Sequence, residues 1–103
     1  MLYYKLVRDK IPEIIERSGK KAKTYILSDK EYEIYLERKL DEEVKEYHDS
    51  KDVEELADIL EVLISLAKTK GYSFAELLKL REHKSSKRGG FSKKILLMSV
   101  DEF

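Results

Sequence analysis

The spacing of apolar positions along the chain predicts two long helices that pack against each other. In the first segment, residues 29–48, apolar side chains recur every three or four residues. They form one stripe along a helix, at Tyr32, Leu36, Leu40, Val44 and Tyr47. The second segment, residues 53–70, is apolar around most of its circumference, which is typical of a helix buried on more than one side. Because only a few polar residues separate the two segments, we expect an antiparallel hairpin of helices at about 29–48 and 53–70.

Helix-starting signals support these boundaries and add a further helix. Ser28 and Glu31 have the spacing of a capping box, in which two side chains satisfy backbone N–H groups at the start of a helix. Ser73 and Glu76 repeat this spacing. We therefore expect a third long helix that begins after Ser73 and ends near residue 87, before a pair of glycines.

The two ends of the chain predict smaller elements. A short first helix would be capped by Asp9, would tolerate Pro12 in its first turn and would end near Arg17. Residues 24–27 and 95–100 are strand candidates, and each is the only obvious partner of the other, so we expect a small two-stranded β element. The predicted fold is mainly α, a single domain over all 103 residues, whose helical hairpin forms part of an oligomeric four-helix-bundle-like core.

Four acidic residues interrupt the apolar faces of the predicted hairpin. On the first helix, Glu43 falls in the middle of the stripe and Glu46 at its edge, whereas Glu42 projects away from it. On the second helix, Glu55 lies within the apolar arc and Asp58 at its border, one turn further along. A carboxylate that is buried without a partner is costly, so it needs a cation or a hydrogen-bond donor. The hairpin is expected to bring the four carboxylates into one small volume.

Clustered carboxylates are typical of a site for a divalent cation. Carboxylate oxygen is the ligand that Mg²⁺ prefers, and Mg²⁺ keeps several waters that substrate phosphates and a nucleophile can use. Mn²⁺ could replace it. Two metals held in this way could clamp a phosphoanhydride and activate a water for in-line attack. We therefore take Glu43, Glu46, Glu55 and Asp58 as candidate catalytic residues and metal ligands.

These acids also have purely structural interpretations. Glu55 could complete a capping box that Asp52 begins, and Glu43 could pair with Lys39 or Tyr47 at helical spacing. Asp58 could be solvated. Since 41% of the residues are charged, two acid pairs with this spacing can also arise by chance.

The net charge of zero hides a segregation of charge along the chain. Residues 29–61 hold fourteen acids against five bases, and residues 79–94 hold seven bases against one acid. The basic end of the last helix is therefore a candidate for binding substrate phosphates, through Arg81, Lys84, Lys87 and Arg88. The alternative is a solvated basic helix end that complements the helix dipole.

Composition narrows the classes of protein. No apolar run is long enough to cross a membrane and no signal-peptide stretch is present, so we expect a cytoplasmic protein without membrane contact. Cysteine is absent, which excludes disulfides and thiolate metal sites. The absence of Asn and Gln beside many Lys and Glu is typical of proteins from hot environments. Zero net charge and an acidic hairpin argue against a general nucleic-acid binder.

The acid pairs resemble the motifs of a known group of enzymes. Residues 42–46 and 54–60 resemble the metal motif of the MazG-like and phosphoribosyl-ATP pyrophosphohydrolase-like all-α NTP pyrophosphatases. Residues 5–12 and 87–91 resemble the terminal signatures of a short, predicted house-cleaning subgroup of that superfamily. Together these four segments extend the resemblance over nearly the whole chain.

This resemblance implies a Mg²⁺-dependent hydrolase that converts a nucleoside triphosphate into a monophosphate and pyrophosphate, with non-canonical nucleotides as substrates. It also implies a homodimer or a dimer of dimers, and it adds Lys5, Arg8 and Lys10 as substrate-phosphate ligands. The loop between the acid motifs is short and leaves little protein to shape a pocket for the nucleobase, so the identity of the substrate's nucleobase stays open. Two alternatives also stay open: phosphoribosyl-ATP hydrolysis, and a non-catalytic nucleic-acid-binding or helical partner protein.

Overall fold

Four helices make up the fold of the part of the chain that the structure describes. The computed structural model describes residues 4–102, and its helices are α1 (Ile11–Arg17), α2 (Asp29–Ser50), α3 (Val53–Thr69) and α4 (Phe74–Arg88). Within residues 4–102 there is no β-strand, so the prediction of a mainly α fold is confirmed. None of these helices has the length and apolar content that crossing a bilayer requires.

Both predicted capping boxes form at the helix starts. The Ser28 hydroxyl accepts from the backbone N–H of Glu31 at 3.2 Å, and the Glu31 carboxylate accepts from the backbone N–H of Ser28 at 2.9 Å. Ser73 and Glu76 make the same reciprocal pair at the start of α4. Hydrogen bonds from the backbone and hydroxyl of the serine lower the pKa of the glutamate in each box.

The connection between α2 and α3 is shorter than the sequence predicts. α2 continues to Ser50 instead of ending near residue 48. Lys51 then adopts the left-handed conformation, with φ of 59°, and donates its N–H to the carbonyl of Tyr47. Asp52 caps α3 by accepting from the backbone N–H of Glu54 at 3.1 Å. A two-residue connection holds α2 and α3 side by side, and they form the main helix–helix contact of the chain, as the hairpin prediction requires.

A small apolar core fills the space between α2 and α3. Leu36, Val62 and Leu66 are its buried members, and the half-buried residues Leu6, Tyr32 and Leu40 pack against it. Leu6 belongs to the segment before α1, so this segment lies across the hairpin. α4 packs more lightly, and only against α3.

The predicted β element is wrong. Residues 24–27 and 95–100 are both non-helical, and neither forms a strand in the described chain. The apolar side chains of both segments are largely exposed, at Tyr25, Ile26, Ile95, Leu96, Leu97, Met98 and Val100. An isolated pair of strands is marginally stable in water unless one face is covered. Apart from Leu27, which is half-buried, no apolar side chain of either segment is covered within residues 4–102, so strand propensity alone does not bring them together.

The predicted cap of the first helix is also wrong. α1 begins at Ile11, with Lys10 at the N-cap position and no side-chain cap. An Asp9 cap would need an N–H from Ile11 or Pro12. Pro12 has none, and the N–H of Ile11 is bonded to the carbonyl of Arg8 at 3.0 Å.

Candidate metal centre

Glu43 of α2 is buried in the hairpin, as its position in the apolar stripe predicts. It is 6% exposed and is the one buried charged residue among residues 4–102. Its Oε1 lies 3.2 Å from Nζ of Lys39, one helical turn earlier. Its Oε2 is buried and has no hydrogen-bond partner in the described chain. The Lys39 pairing that the sequence left open therefore forms, but it satisfies only one of the two carboxylate oxygens.

Glu55 and Asp58 approach Glu43 from α3. One carboxylate oxygen of each of the three residues lies within 4.8 Å of the other two. Oε2 of Glu55 is also buried and without a hydrogen-bond partner in the part of the chain that the structure describes. The Asp52 carboxylate accepts from the backbone N–H of Glu54 and not from that of Glu55. The capping-box explanation of Glu55 therefore does not hold.

The carboxylates of the cluster are electrostatically unfavourable in the absence of a cation. Burial raises the pKa of Glu43; Lys39 opposes this shift, and the charges of Glu46 and Asp58 add to it. Burial also raises the pKa of Glu55, and the charges of Glu46, Asp58 and Glu43 raise it further. Both groups therefore resist carrying their negative charge together.

Glu46 lies outside the close group of three. It is exposed, and it is not one of the three acids whose oxygens all lie within 4.8 Å of one another. Its charge still raises the pKa of both Glu43 and Glu55, so it lies within electrostatic reach of them. Three of the four predicted acids thus converge, with the fourth at the rim, which agrees with the position of Glu46 at the edge of the apolar stripe.

Two cations from the chain contact the acids. Arg8 Nη2 lies 2.7 Å from Oδ1 of Asp58, and Lys39 Nζ contacts both Glu43 and, at 3.5 Å, Oε1 of Glu42. Lys39 appeared in the sequence only as a structural alternative, although its position four residues before Glu43 is the signal for the contact. Glu42, which lies off the apolar stripe in helical projection, is half-buried and also pairs with Lys5 at 3.5 Å.

The predicted phosphate-binding residues fall into two groups. Lys5 and Arg8 lie beside the hairpin acids. The others are exposed: Lys10 at the N-cap position of α1, and Arg81, Lys84, Lys87 and Arg88 on the second half of α4. None of this second group forms an ion pair or hydrogen bond with the cluster within residues 4–102; Arg81 contacts Glu82 at 3.9 Å.

The three converging carboxylates fit the donor set of a hard divalent cation. Ligands of one octahedral Mg²⁺, at about 2.1 Å from the ion, lie about 3–4 Å from each other. The oxygens of the cluster, within 4.8 Å of one another, need only a small inward movement to reach that spacing. The unpartnered oxygens of Glu43 and Glu55 are the atoms that such an ion would satisfy.

The fold and the site define a helical protein whose central hairpin gathers carboxylates beside two basic side chains. No family model matches the chain, and no solved structure matches it. A protein of Mycolicibacterium smegmatis (strain ATCC 700084 / mc(2)155), described as uncharacterized, is 56% identical over 41 residues, or 40% of this chain and 42% of the relative. The chain thus matches about two-fifths of the length of this curated relative.

Proposed function

We propose that this protein is a Mg²⁺-dependent nucleoside triphosphate pyrophosphohydrolase of the MazG-like type, which acts on non-canonical nucleotides in the cytoplasm. The observation that carries the proposal is the convergence of Glu43, Glu55 and Asp58, with a buried and unpartnered oxygen on Glu43. A carboxylate buried for packing alone would be expected to have both oxygens satisfied. The resemblance of residues 42–46 and 54–60 to the metal motif of those enzymes supports the same assignment.

The three converging carboxylates would hold and orient Mg²⁺, or Mn²⁺ in its place. When bound, such an ion polarises phosphoryl oxygens and lowers the pKa of a coordinated water. Lys39 pairs with one oxygen of Glu43, and the other, which has no hydrogen-bond partner in the described chain, would be available to the ion. The fixed positions of Glu43 on α2 and Glu55 on α3 define the site before substrate arrives, because both helices are anchored by the core.

Glu46 is the candidate base, because it is exposed, lies within electrostatic reach of Glu43 and Glu55, and is not one of the three acids whose oxygens converge. In the proposed reaction, the oxygen of water bonds to the α-phosphorus while its proton passes to the Glu46 carboxylate. The bond from the α-phosphorus to the bridging oxygen breaks, and that oxygen leaves with pyrophosphate. The basic residues of α4 would offset the charge that develops on the leaving group, through Arg81, Lys84, Lys87 and Arg88.

A homodimer or dimer of dimers belongs to this proposal. α3 leaves four large apolar side chains exposed, at Val53, Leu56, Leu60 and Leu63. The chain exposes 9789 Å² and has a radius of gyration of 18.5 Å. A compact monomer of this size would expose about 6,100 Å² and have a radius of about 13 Å. The difference exceeds the roughly 800 Å² that each partner buries in a standard interface, so a second copy has ample surface to cover.

A panel of nucleoside triphosphates tests the activity. Canonical, oxidised and deaminated triphosphates and phosphoribosyl-ATP are incubated with Mg²⁺, and both pyrophosphate and the monophosphate product are measured. The proposal expects equal amounts of the two products from at least one triphosphate, and none with EDTA. Glu43→Gln should be inactive, whereas Glu37→Gln, the same change at an exposed position of α2, should retain activity.

Two outcomes would contradict the proposal. Turnover retained in Glu43→Gln would show that the cluster is not the site of reaction. Absence of pyrophosphate from every nucleotide, together with a salt-dependent mobility shift of DNA or RNA, would instead favour a nucleic-acid-binding protein.

A further inference from the structure

The segment before α1 crosses the hairpin and carries a basic side chain to each helix. We call residues 4–10 the strap. Lys5 contacts Glu42 of α2 at 3.5 Å, and Arg8 contacts Asp58 of α3 at 2.7 Å. Between them, Leu6 packs against the apolar core and fixes the strap in place. The strap therefore holds Arg8 directly against a residue of the carboxylate cluster.

The two cations that touch the cluster differ in how freely they can move. The Lys39 side chain is 17% exposed and extends from α2 between two carboxylates. The Arg8 side chain is 55% exposed and extends from a non-helical segment. Exposed ion pairs contribute little stability and break readily, whereas a largely buried cation between two acids does not leave without cost. Lys39 is thus a fixed counter-charge, and Arg8 a displaceable one.

We propose that Arg8 is an exchangeable counter-ion of the carboxylate cluster: it pairs with Asp58 while no divalent cation is bound, and turns to a substrate phosphate when a metal takes Asp58. This inference rests on the proposed function. Arg8 and Lys39 offset only two of the four negative charges of the cluster, Glu43, Glu55 and Asp58, and the neighbouring Glu46, so the cluster still attracts a divalent cation.

The exchange follows from like-charge repulsion at short range. A divalent cation on the cluster would lie within a few ångströms of the Arg8 guanidinium, since that group already contacts Asp58. The packing of half-buried Leu6, two residues earlier, against the core keeps the backbone of the strap beside the hairpin, so only the Arg8 side chain needs to move. A phosphate bound to the same metal would lie within reach of the Arg8 side chain, and the planar guanidinium would match two of its oxygens.

Calorimetric titration with Mn²⁺ tests the exchange without any turnover. The wild-type protein is compared with Arg8→Gln, first with Mn²⁺ alone and then with a non-hydrolysable nucleoside triphosphate analogue. Loss of the competing cation should make Arg8→Gln bind Mn²⁺ alone about fivefold more tightly, the equivalent of about 1 kcal/mol for an exposed ion pair. The analogue should increase Mn²⁺ affinity more in the wild type than in Arg8→Gln, because only the wild type has an Arg8 guanidinium that can leave Asp58 and bind the phosphate of the analogue.

The matched control is Arg17→Gln. Arg17 is likewise exposed and pairs with an acid, Glu13, but within α1 and outside the cluster. The Mn²⁺ affinity of Arg17→Gln should therefore equal that of the wild type. Weaker Mn²⁺ binding in Arg8→Gln would overturn the exchange, since Arg8 would then orient Asp58 for the metal. Equal binding in the two proteins would also overturn it while leaving the metal centre intact. A wild-type protein that binds no Mn²⁺ would overturn both the exchange and the proposed function.

Discussion

Lys39 and Glu43 form a 3.2 Å ion pair one turn apart on α2, and this pair satisfies only one oxygen of a carboxylate that is otherwise buried. The second oxygen is buried and has no hydrogen-bond partner in the described chain, and one oxygen of Glu43 lies within 4.8 Å of an oxygen of Glu55 and of Asp58. Burial raises the pKa of Glu43 in spite of Lys39, so the pair does not fully compensate the buried charge. This incomplete compensation leads to the first two predictions.

Glu43→Gln should stabilise the protein without metal and remove its response to metal. The neutral amide does not carry the buried negative charge of Glu43. The positive charge of Lys39 stays compensated, because Glu42 remains 3.5 Å from it. In EDTA, the melting temperature of the variant should lie a few degrees above that of the wild type. Mg²⁺ or Mn²⁺ should raise the melting temperature of the wild type but not that of the variant. At a hundredfold excess of metal over Kd, the free energy of unfolding of the wild type should increase by about 2.7 kcal/mol.

Thermal unfolding followed by circular dichroism, with and without Mg²⁺, measures both effects. Glu37→Gln on the exposed face of α2 is the matched control and should behave like the wild type. A Glu43→Gln protein that gains as much stability from Mg²⁺ as the wild type would argue against a metal centre at Glu43.

The stability of the metal-free protein should fall as the pH rises from mildly acidic to neutral. Burial raises the pKa of Glu43 and Glu55 above their ordinary value of 4.5. The folded state therefore binds more protons than the unfolded chain above pH 4.5, and the free energy of unfolding decreases with pH until the raised pKa values are passed. Glu31 and Glu76 have lowered pKa values, so they act in the opposite direction, below pH 4.5.

Melting temperatures measured in EDTA between about pH 5 and pH 8 check this dependence. With saturating Mg²⁺ the decline should disappear, because the ion stabilises the ionised carboxylates. A double variant in which Glu43 and Glu55 are both glutamine should show no decline in either condition. If that variant keeps the full decline, other groups cause it.

Removal of a basic residue at the end of α4 should impair substrate binding without affecting the fold. Lys84 and Arg88 are exposed, with no ion pair in the described chain. Lys84→Ala or Arg88→Ala should raise KM or lower kcat about tenfold, equivalent to about 1.4 kcal/mol for one charge-assisted contact. The melting temperature should hardly change. Lys79→Ala, on the first half of the same helix, is the control, and unchanged kinetics in both test variants would exclude this end of α4 from the reaction.

A charge on the exposed apolar face of α3 should dissociate the proposed oligomer. Leu60 is exposed in the single chain, so Leu60→Glu should leave the protomer folded while it disfavours contact with a second copy. Sedimentation velocity should show a dimer or tetramer for the wild type and a monomer for Leu60→Glu at micromolar concentration. Lys68→Glu on an exposed position of α3 is the charge control and should remain associated. A wild-type monomer would contradict the assembly.

Much of the fold was predictable because it depends on interactions within a few residues. The capping boxes join residues three apart, and the apolar stripes repeat at helical spacing, so the starts of α2 and α4 and the hairpin follow from the sequence. The inward position of Glu43 follows from the same periodicity. The Asp9 cap failed for an equally local reason, since Pro12 has no N–H to donate.

Only the tertiary structure decided which groups meet across the hairpin. Helical periodicity gives a direction for each acid but not the distance between α2 and α3, so it did not separate Glu46 from the three acids that converge. It also gave no means of pairing Arg8 with Asp58, which are fifty residues apart in the chain. The strand propensity of residues 95–100 was misleading for the same reason: a strand needs a partner and a covering surface, and both depend on how distant segments pack.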